Sequence, residues 1–269
     1  MFTLSKTIEI TGIGIHSGGN VTMQVMPAVK KHGISFILND KEVPVDVNSI
    51  GLNHLRSTTL THDSCNIQTP EHFLSACYAL QLTNIKITLS HFELPILDGS
   101  AIEFIHALEP YRVPIPEPQK KLTVSSPISL TLGDSQYSVV PHNDFIIDVT
   151  LAYPDHWLQT LTYQYNHSER NYIENISSAR TYGFLNEVTM LKEKGLAKGG
   201  SLDNALVITD TGYLNDPRFV DEIARHKILD FIGDMAIGQR QLAGHFTITK
   251  PSHQGNVTWL KHLIMEETC

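Results

Sequence analysis

His226, Asp230 and Asp234 recur at every fourth residue of D-E-I-A-R-H-K-I-L-D-F-I-G-D-M-A-I-G, residues 221–238. On a helix they stand one above another, with Lys227 at the edge of the same stripe. Ile223, Ile228, Leu229, Phe231, Ile232, Met235 and Ile237 occupy nearly every other direction. A helix apolar all round is usually buried. Burying a charge costs roughly several kcal/mol unless it is paired or binds a metal. Two causes fit. His226 and Asp230 can clamp one metal ion from consecutive turns, as the two histidines of H-E-x-x-H do. Alternatively, Lys227 pairs with Asp230 or Asp234 in a buried ionic network. Spacing alone weighs the two about evenly.

Glu71-His72 shifts that balance. In Thr69-Pro70-Glu71-His72, Thr69 reads as an N-cap, Pro70 as the first helical position and Glu71 as a complement to the positive helix end. By itself this is an ordinary first turn. If this helix packs against the 221–238 helix, however, His72 reaches the same ion. Two imidazoles and a carboxylate leave a fourth position for water, the pattern of a catalytic zinc site, and Glu71 lies within reach of that water.

The elements that must bring these residues together come in two similar runs. Strands are predicted at Thr7–Ile10, Val21–Val25, Ser35–Leu38 and Val43–Val47, then the 69–80 helix, a strand at Ile85–Leu89, the loop Asp98-Gly99-Ser100 and a helix over 101–108. Tyr111–Pro118, with three prolines in eight residues, reads as a linker. Strands resume at Leu122–Val124, Ile128–Leu132, Tyr137–Val140 and Phe145–Leu151. The 221–238 helix, a strand at Ala243–Thr249 and a last helix to about Leu263 follow. The shared order suggests an internal duplication. The expected fold is α+β: two similar α/β-layered domains forming a β-α-α-β sandwich, helices packed between two outer sheets. The expected boundaries are 1–112, a linker at 113–120, and 121–269 with an insert near 185–205.

The 269 residues, 41% hydrophobic, suffice for a substantial core, and the net charge of −8 without a like-charged block argues against a general nucleic-acid binder. Cys65, Cys77 and Cys269 form no C-x-x-C pair, which favours a reducing compartment. No signal core opens the chain and no run of about 18 apolar residues occurs, so a cytoplasmic chain without a transmembrane segment is expected.

The motifs G-I-G-I-H-S-G (Gly12–Gly18), T-P-E-H-F (Thr69–Phe73), L-D-G-S (Leu97–Ser100), A-R-T-Y-G-F (Ala179–Phe184), G-L-A-K-G-G-S (Gly195–Ser201) and R-H-K-I-L-D-F-I-G-D (Arg225–Asp234) occur in this order. Together they resemble the UDP-3-O-acyl-N-acetylglucosamine deacetylases of lipid A biosynthesis, over nearly the whole chain. The resemblance implies zinc held by His72, His226 and Asp230, with iron(II) as another occupant in vivo. It implies Glu71 as general base, His253 as the group that protonates the departing amine, and Asp234 as the carboxylate that orients His253. Thr181 would stabilise the oxyanion and Lys227 would be a nearby cation. In a second scheme Glu71 makes both proton transfers and His253 acts electrostatically.

The resemblance also implies an insert after Phe184 forming an apolar passage for the substrate's acyl chain, to which Val188, Met190, Leu191, Leu196, Ala197 and Leu202 are suited. Tyr182, Phe184, Ala197 and Gly200 are expected to contact substrate. Lys250 is a candidate diphosphate contact, with a plain surface lysine as the alternative. Tyr182 stands where phenylalanine is usual, Tyr153-Pro154 where many relatives have His-Pro, and Pro251 where a small residue precedes Ser252-His253. The first two bear on substrate contacts, the third on the tilt of His253. The expected partner is a UDP-sugar bearing a fatty acyl chain, bound by a monomer.

Competing readings are a zinc hydrolase of a different amide or ester, and a two-domain binding protein whose polar stripe is structural. A serine or cysteine hydrolase fits poorly, because no G-x-S-x-G elbow is present and Cys65 and Cys77 have no evident base. His54, His62, His91, His142, His156 and His245 carry no assigned role.

Overall fold

The computed structural model describes residues 1–52, 56–118 and 120–267; His54 and Cys269 lie outside them. The chain is α+β and carries the same sheet twice. In the first, the hairpins Ile8–Ile13/Asn20–Pro27 and Ile34–Leu38/Lys41–Pro44 flank a central strand, Ile85–Leu89. That strand runs antiparallel to Asn20–Pro27 and parallel to Ile34–Leu38. Period-2 patterning sets the buried face: Val21, Met23 and Val25 alternate with more exposed residues. Helix α1 (Glu71–Ala79) precedes the central strand and α2 (Ile102–Leu108) follows it.

The second half interposes α3 (Glu169–Asn175) and α4 (Leu185–Glu193) before α5 (Glu222–Ala236) and α6 (His253–Glu267). Its hairpins, Ile128–Leu132/Ser135–Val140 and Phe145–Tyr153/Gln159–Asn166, flank the central strand Gln241–Thr249. Again the central strand is antiparallel to one hairpin and parallel to the other. Lys121–Thr123 also pairs with it. The strand following the main helix therefore enters the middle of the sheet in both halves.

Helices α1 and α5 pack against each other, each with a sheet behind it. Phe73, next to His72, meets Phe36 of the first sheet edge-on at 6.1 Å, and Phe231, next to Asp230, meets Phe246 of the second at 5.8 Å. Each helix thus anchors an aromatic ring in its own sheet while the preceding residue turns toward the other helix. Gly233 permits the close crossing, because a Cβ there would overlap the Glu71 carbonyl.

Several local expectations change. Thr69 is not the N-cap: it adopts φ 58°, and its hydroxyl goes to Glu93 Oε1 at 3.3 Å, leaving α1 without a side-chain cap. The proline-rich segment is not simply a tether, since Arg112–Pro114 pairs with Phe2–Leu4. Arg112 also makes two hydrogen bonds to Glu169, at 2.8 and 2.7 Å, which link the halves. The last helix continues past Leu263 to Glu267. Cys65 and Cys77 are buried, free thiols. No helix among the described residues is long and apolar enough to cross a membrane.

Candidate active site

α1 and α5 bring His72, His226 and Asp230 to one point, where one donor atom from each lies within 4.8 Å of the others. Asp230 Oδ1 is 3.5 Å from His72 Nε2 and 3.2 Å from His226 Nε2. These separations match the edge of a tetrahedron with bonds of ~2.1 Å, roughly 3.4 Å. His226 Nδ1 lies 3.0 Å from the Ala179 carbonyl. Donating its proton there leaves the Nε2 lone pair turned to the common point. All three side chains are buried.

The two oxygens of Asp230 have different surroundings. Lys227 Nζ donates to Asp230 Oδ2 at 2.9 Å, whereas Oδ1 is buried without a hydrogen-bond donor. An ion pair accounts for only one of the two oxygens. A buried acceptor facing two imidazole nitrogens is the donor set a divalent cation completes, so the residues fit a metal. Burial opposes ionisation of Asp230, but His226 and Lys227 hold its carboxyl well below the ordinary range. Burial likewise disfavours charge on Lys227, and Asp230 more than restores it. His72 is pushed down by burial and stays neutral, as a ligand must.

Glu71 and His253 stand beside this point. His253 Nε2 is 3.8 Å from Glu71 Oε1 and 3.9 Å from Asp230 Oδ2, and its Nδ1 lies 3.1 Å from Asp234 Oδ2. Asp234 is held in turn by the Thr58 hydroxyl at 2.5 Å and Asn256 Nδ2 at 2.8 Å. The Thr58 amide donates to Glu71 Oε2 at 3.2 Å, so one residue anchors both carboxylates. Burial would lower the pKa of His253, but Asp234, Glu71 and Asp230 raise it to about 9. Burial raises Glu71 to about 8 against the pull of His253. A carboxylate lifted toward neutrality is a better proton acceptor than an ordinary one, and a cationic imidazole is a proton donor. Pro251 leaves His253 on Asp234.

The site forms one wall of a cavity of about 540 Å³. Thr181 lines it, its backbone pinned by the Gly99 carbonyl at 2.7 Å and the Leu206 amide at 2.8 Å. Arg180, buried against Glu222 at 2.9 Å, ties the same stretch to the start of α5. Lys227, Tyr182, Ala197 and Gly200 also line the cavity, as do Val188, Leu191 and Leu202. α4 has no fully buried residue, and its apolar side chains Leu185, Val188 and Leu191 face this space instead. Tyr182 and Tyr153, two of the three departures from the family pattern, hydrogen-bond to each other at 3.1 Å.

Other expected contacts lie elsewhere. Phe184 packs on Tyr153 and His156, behind the wall rather than in it. Met190 and Leu196 are not among the lining residues, and neither is Asp234, which stands behind His253. Lys250 does not line the cavity; its Nζ is 3.5 Å from Asp134 Oδ2. Conversely, no sequence signal marks His16, Arg56 and Ser252, which line the space, nor Thr58 and Glu93, which hold lining residues, nor Asn256, which holds Asp234 behind them. The glycines around His16 signalled a turn at most, and Glu93 gave no periodic signal.

The family described as LpxC, UDP-3-O-acyl N-acetylglycosamine deacetylase, matches residues 2–265. Similar proteins include a UDP-3-O-acyl-N-acetylglucosamine deacetylase of Myxococcus xanthus, 36% identical over 99% of this chain and 87% of the relative. Enzymes of the same name from Nautilia profundicola and Wolinella succinogenes are 34% and 36% identical, each over 98% of this chain and over 92% and 90% of their own lengths.

Proposed function

The chain belongs to the UDP-3-O-acyl N-acetylglycosamine deacetylase family, and on that premise we propose how its residues divide the work of hydrolysis. The chain is a deacetylase of lipid A biosynthesis. It adds water across the N-acetyl amide of UDP-3-O-acyl-N-acetylglucosamine: a C–O bond forms at the acetyl carbon, the C–N bond breaks, and acetate and the free amine leave. The observation that carries the assignment is the convergence of His72, His226 and Asp230 beside Glu71 and His253.

His72, His226 and Asp230 hold zinc in this reading, and iron(II) suits the same donors. A divalent ion held there would lower the pKa of water to roughly 7 and polarise the amide carbonyl. Glu71 accepts the proton of the attacking water. The Thr181 hydroxyl donates to the developing oxyanion, a contact of the kind that contributes about 3 kcal/mol. His253, oriented by Asp234, passes a proton to the amide nitrogen so that it leaves as an amine. Lys227 occupies Asp230 Oδ2 and leaves Oδ1 to the imidazole side.

The cavity wall of Tyr182, Ala197, Gly200, Val188, Leu191 and Leu202 receives the sugar and its acyl chain, and Phe184 supports it from behind. Lys250 precedes Pro251, which lines the cavity, and we assign it to the diphosphate in exchange for Asp134. The reading extends to a cytoplasmic monomer of two domains, 1–112 and 121–269, joined by 113–120, with 185–205 as the acyl insert.

The test is metal analysis of wild type and Asp230→Ala beside acetate release from the acylated UDP-sugar. Wild type should carry one zinc per chain, and the variant should lose both metal and turnover. Full activity in Asp230→Ala would refute the ligand set.

A further inference from the structure

Glu93 is fully buried, yet it lies outside the catalytic group. Its two carboxylate oxygens accept the backbone N–H groups of His16 and Ser17, each at 2.8 Å. Gly14 makes room for it, since a Cβ there would overlap the carboxylate. One buried carboxylate thus fixes the turn between Ile8–Ile13 and Asn20–Pro27, by charge-assisted bonds of the stronger kind.

That turn holds a second loop. The Ile15 and His16 carbonyls accept N–H groups from Gly199 and Lys198, at 3.0 and 3.2 Å. The approach is close enough that a Cβ on Gly199 would overlap the Gly14 carbonyl. Gly199 belongs to the loop whose Ala197, Gly200, Ser201 and Leu202 line the cavity. The contacts run in series from Glu93 through the 14–19 turn to the 195–202 loop and the cavity wall. The turn is in the first half of the chain and the loop in the second, so the wall is held from across the molecule.

We propose that Glu93 is a positioning residue for substrate selection: by fixing the 14–19 turn it holds the 195–202 loop as the wall against which the 3-O-acyl chain packs. The inference rests on the deacetylase reading. Glu93 acts through the backbone of the 14–19 turn, its one side-chain donor among the described residues being the Thr69 hydroxyl at 3.3 Å. It touches no reacting atom and sets the preference for acylated over unacylated substrate rather than the rate of the chemical step.

The test compares acylated UDP-N-acetylglucosamine with its unacylated counterpart in wild type, Glu93→Gln and Gly199→Ala. Glu93→Gln keeps the shape but sets an amide N–H₂ against a backbone donor. Gly199→Ala breaks the same contact from the loop side, in case the buried variant fails to fold. Each should raise KM for the acylated substrate about tenfold with kcat within about twofold, shrinking the acyl preference by the same factor. A role confined to stability would lower the active fraction and reduce turnover of both substrates in parallel. Undiminished acyl preference in the folded variants overturns the proposal. If wild type itself shows no acyl preference, it is the substrate reading that fails.

Discussion

The backbone carbonyl of Glu71 in α1 lies against the Cα of Gly233 in α5, so closely that no side chain fits between them. Position 233 sits between Asp230 and Asp234 along one helix, and Glu71 adjoins His72 on the other. The contact therefore sets the distance across which the proposed ligands must meet. Gly233→Ala should push the helices apart, destabilising the fold by about 2–3 kcal/mol and weakening metal retention together. Denaturant unfolding and metal analysis check this; a variant that keeps full stability and full metal would show that the crossing is slack.

Asp234 accepts from Thr58 and Asn256 as well as facing His253, so its substitution by asparagine should preserve the packing and remove the charge. Asp234→Asn is expected to lower kcat about 100-fold while metal content stays at the wild-type level. Loss of metal in parallel with rate would instead place Asp234 in support of the ligands.

Thr181 has its backbone fixed from both sides, so removing only its hydroxyl should leave the loop in place. Thr181→Val should cost about 100-fold in kcat with little change in KM. A rise in KM at constant kcat would move the hydroxyl from the transition state to ground-state binding.

His167 offers a pH test away from the centre. Its ring lies against Tyr78 and Phe145, and its Nδ1 is 3.0 Å from the Tyr165 hydroxyl. Burial lowers its pKa from 6.5 to about 4, against the smaller pull of Glu169. The unfolded chain then binds the extra proton between these values. The contribution is complete above pH 6.5 and lost as pH falls toward 4, by up to about 3 kcal/mol. His167→Asn, which keeps an acceptor near Nδ1, should flatten that part of the stability–pH curve. Parallel curves for the two proteins would contradict it.

The helix stripe of His226, Asp230 and Asp234 and the pair Glu71-His72 were legible because period 3.6 aligns side chains whatever surrounds them. The central strands were legible for a similar reason, since Ile85–Leu89 alternates buried and less buried residues. α4 was not, because its apolar side chains face a cavity rather than a core. α3 carried a usable signal, Ser168, whose hydroxyl accepts from the Asn171 amide at 3.1 Å, but it is only two turns long. Glu93 and Thr58 act on partners far off in sequence, partly through backbone groups, and no local pattern encodes such contacts. Thr69 was misread because its hydroxyl had two eligible partners and the distant carboxylate won.

The twin sheets share one strand order, but the proposed ligands are divided unequally, His72 from the first half and His226 with Asp230 from the second. Two halves with one sheet topology thus supply different side chains to a single point. Expressed separately, neither fragment would retain the full donor set, and each would expose the helix face that its counterpart covers. Because both halves lie on one polypeptide, their encounter is intramolecular, so assembly of the centre does not depend on protein concentration.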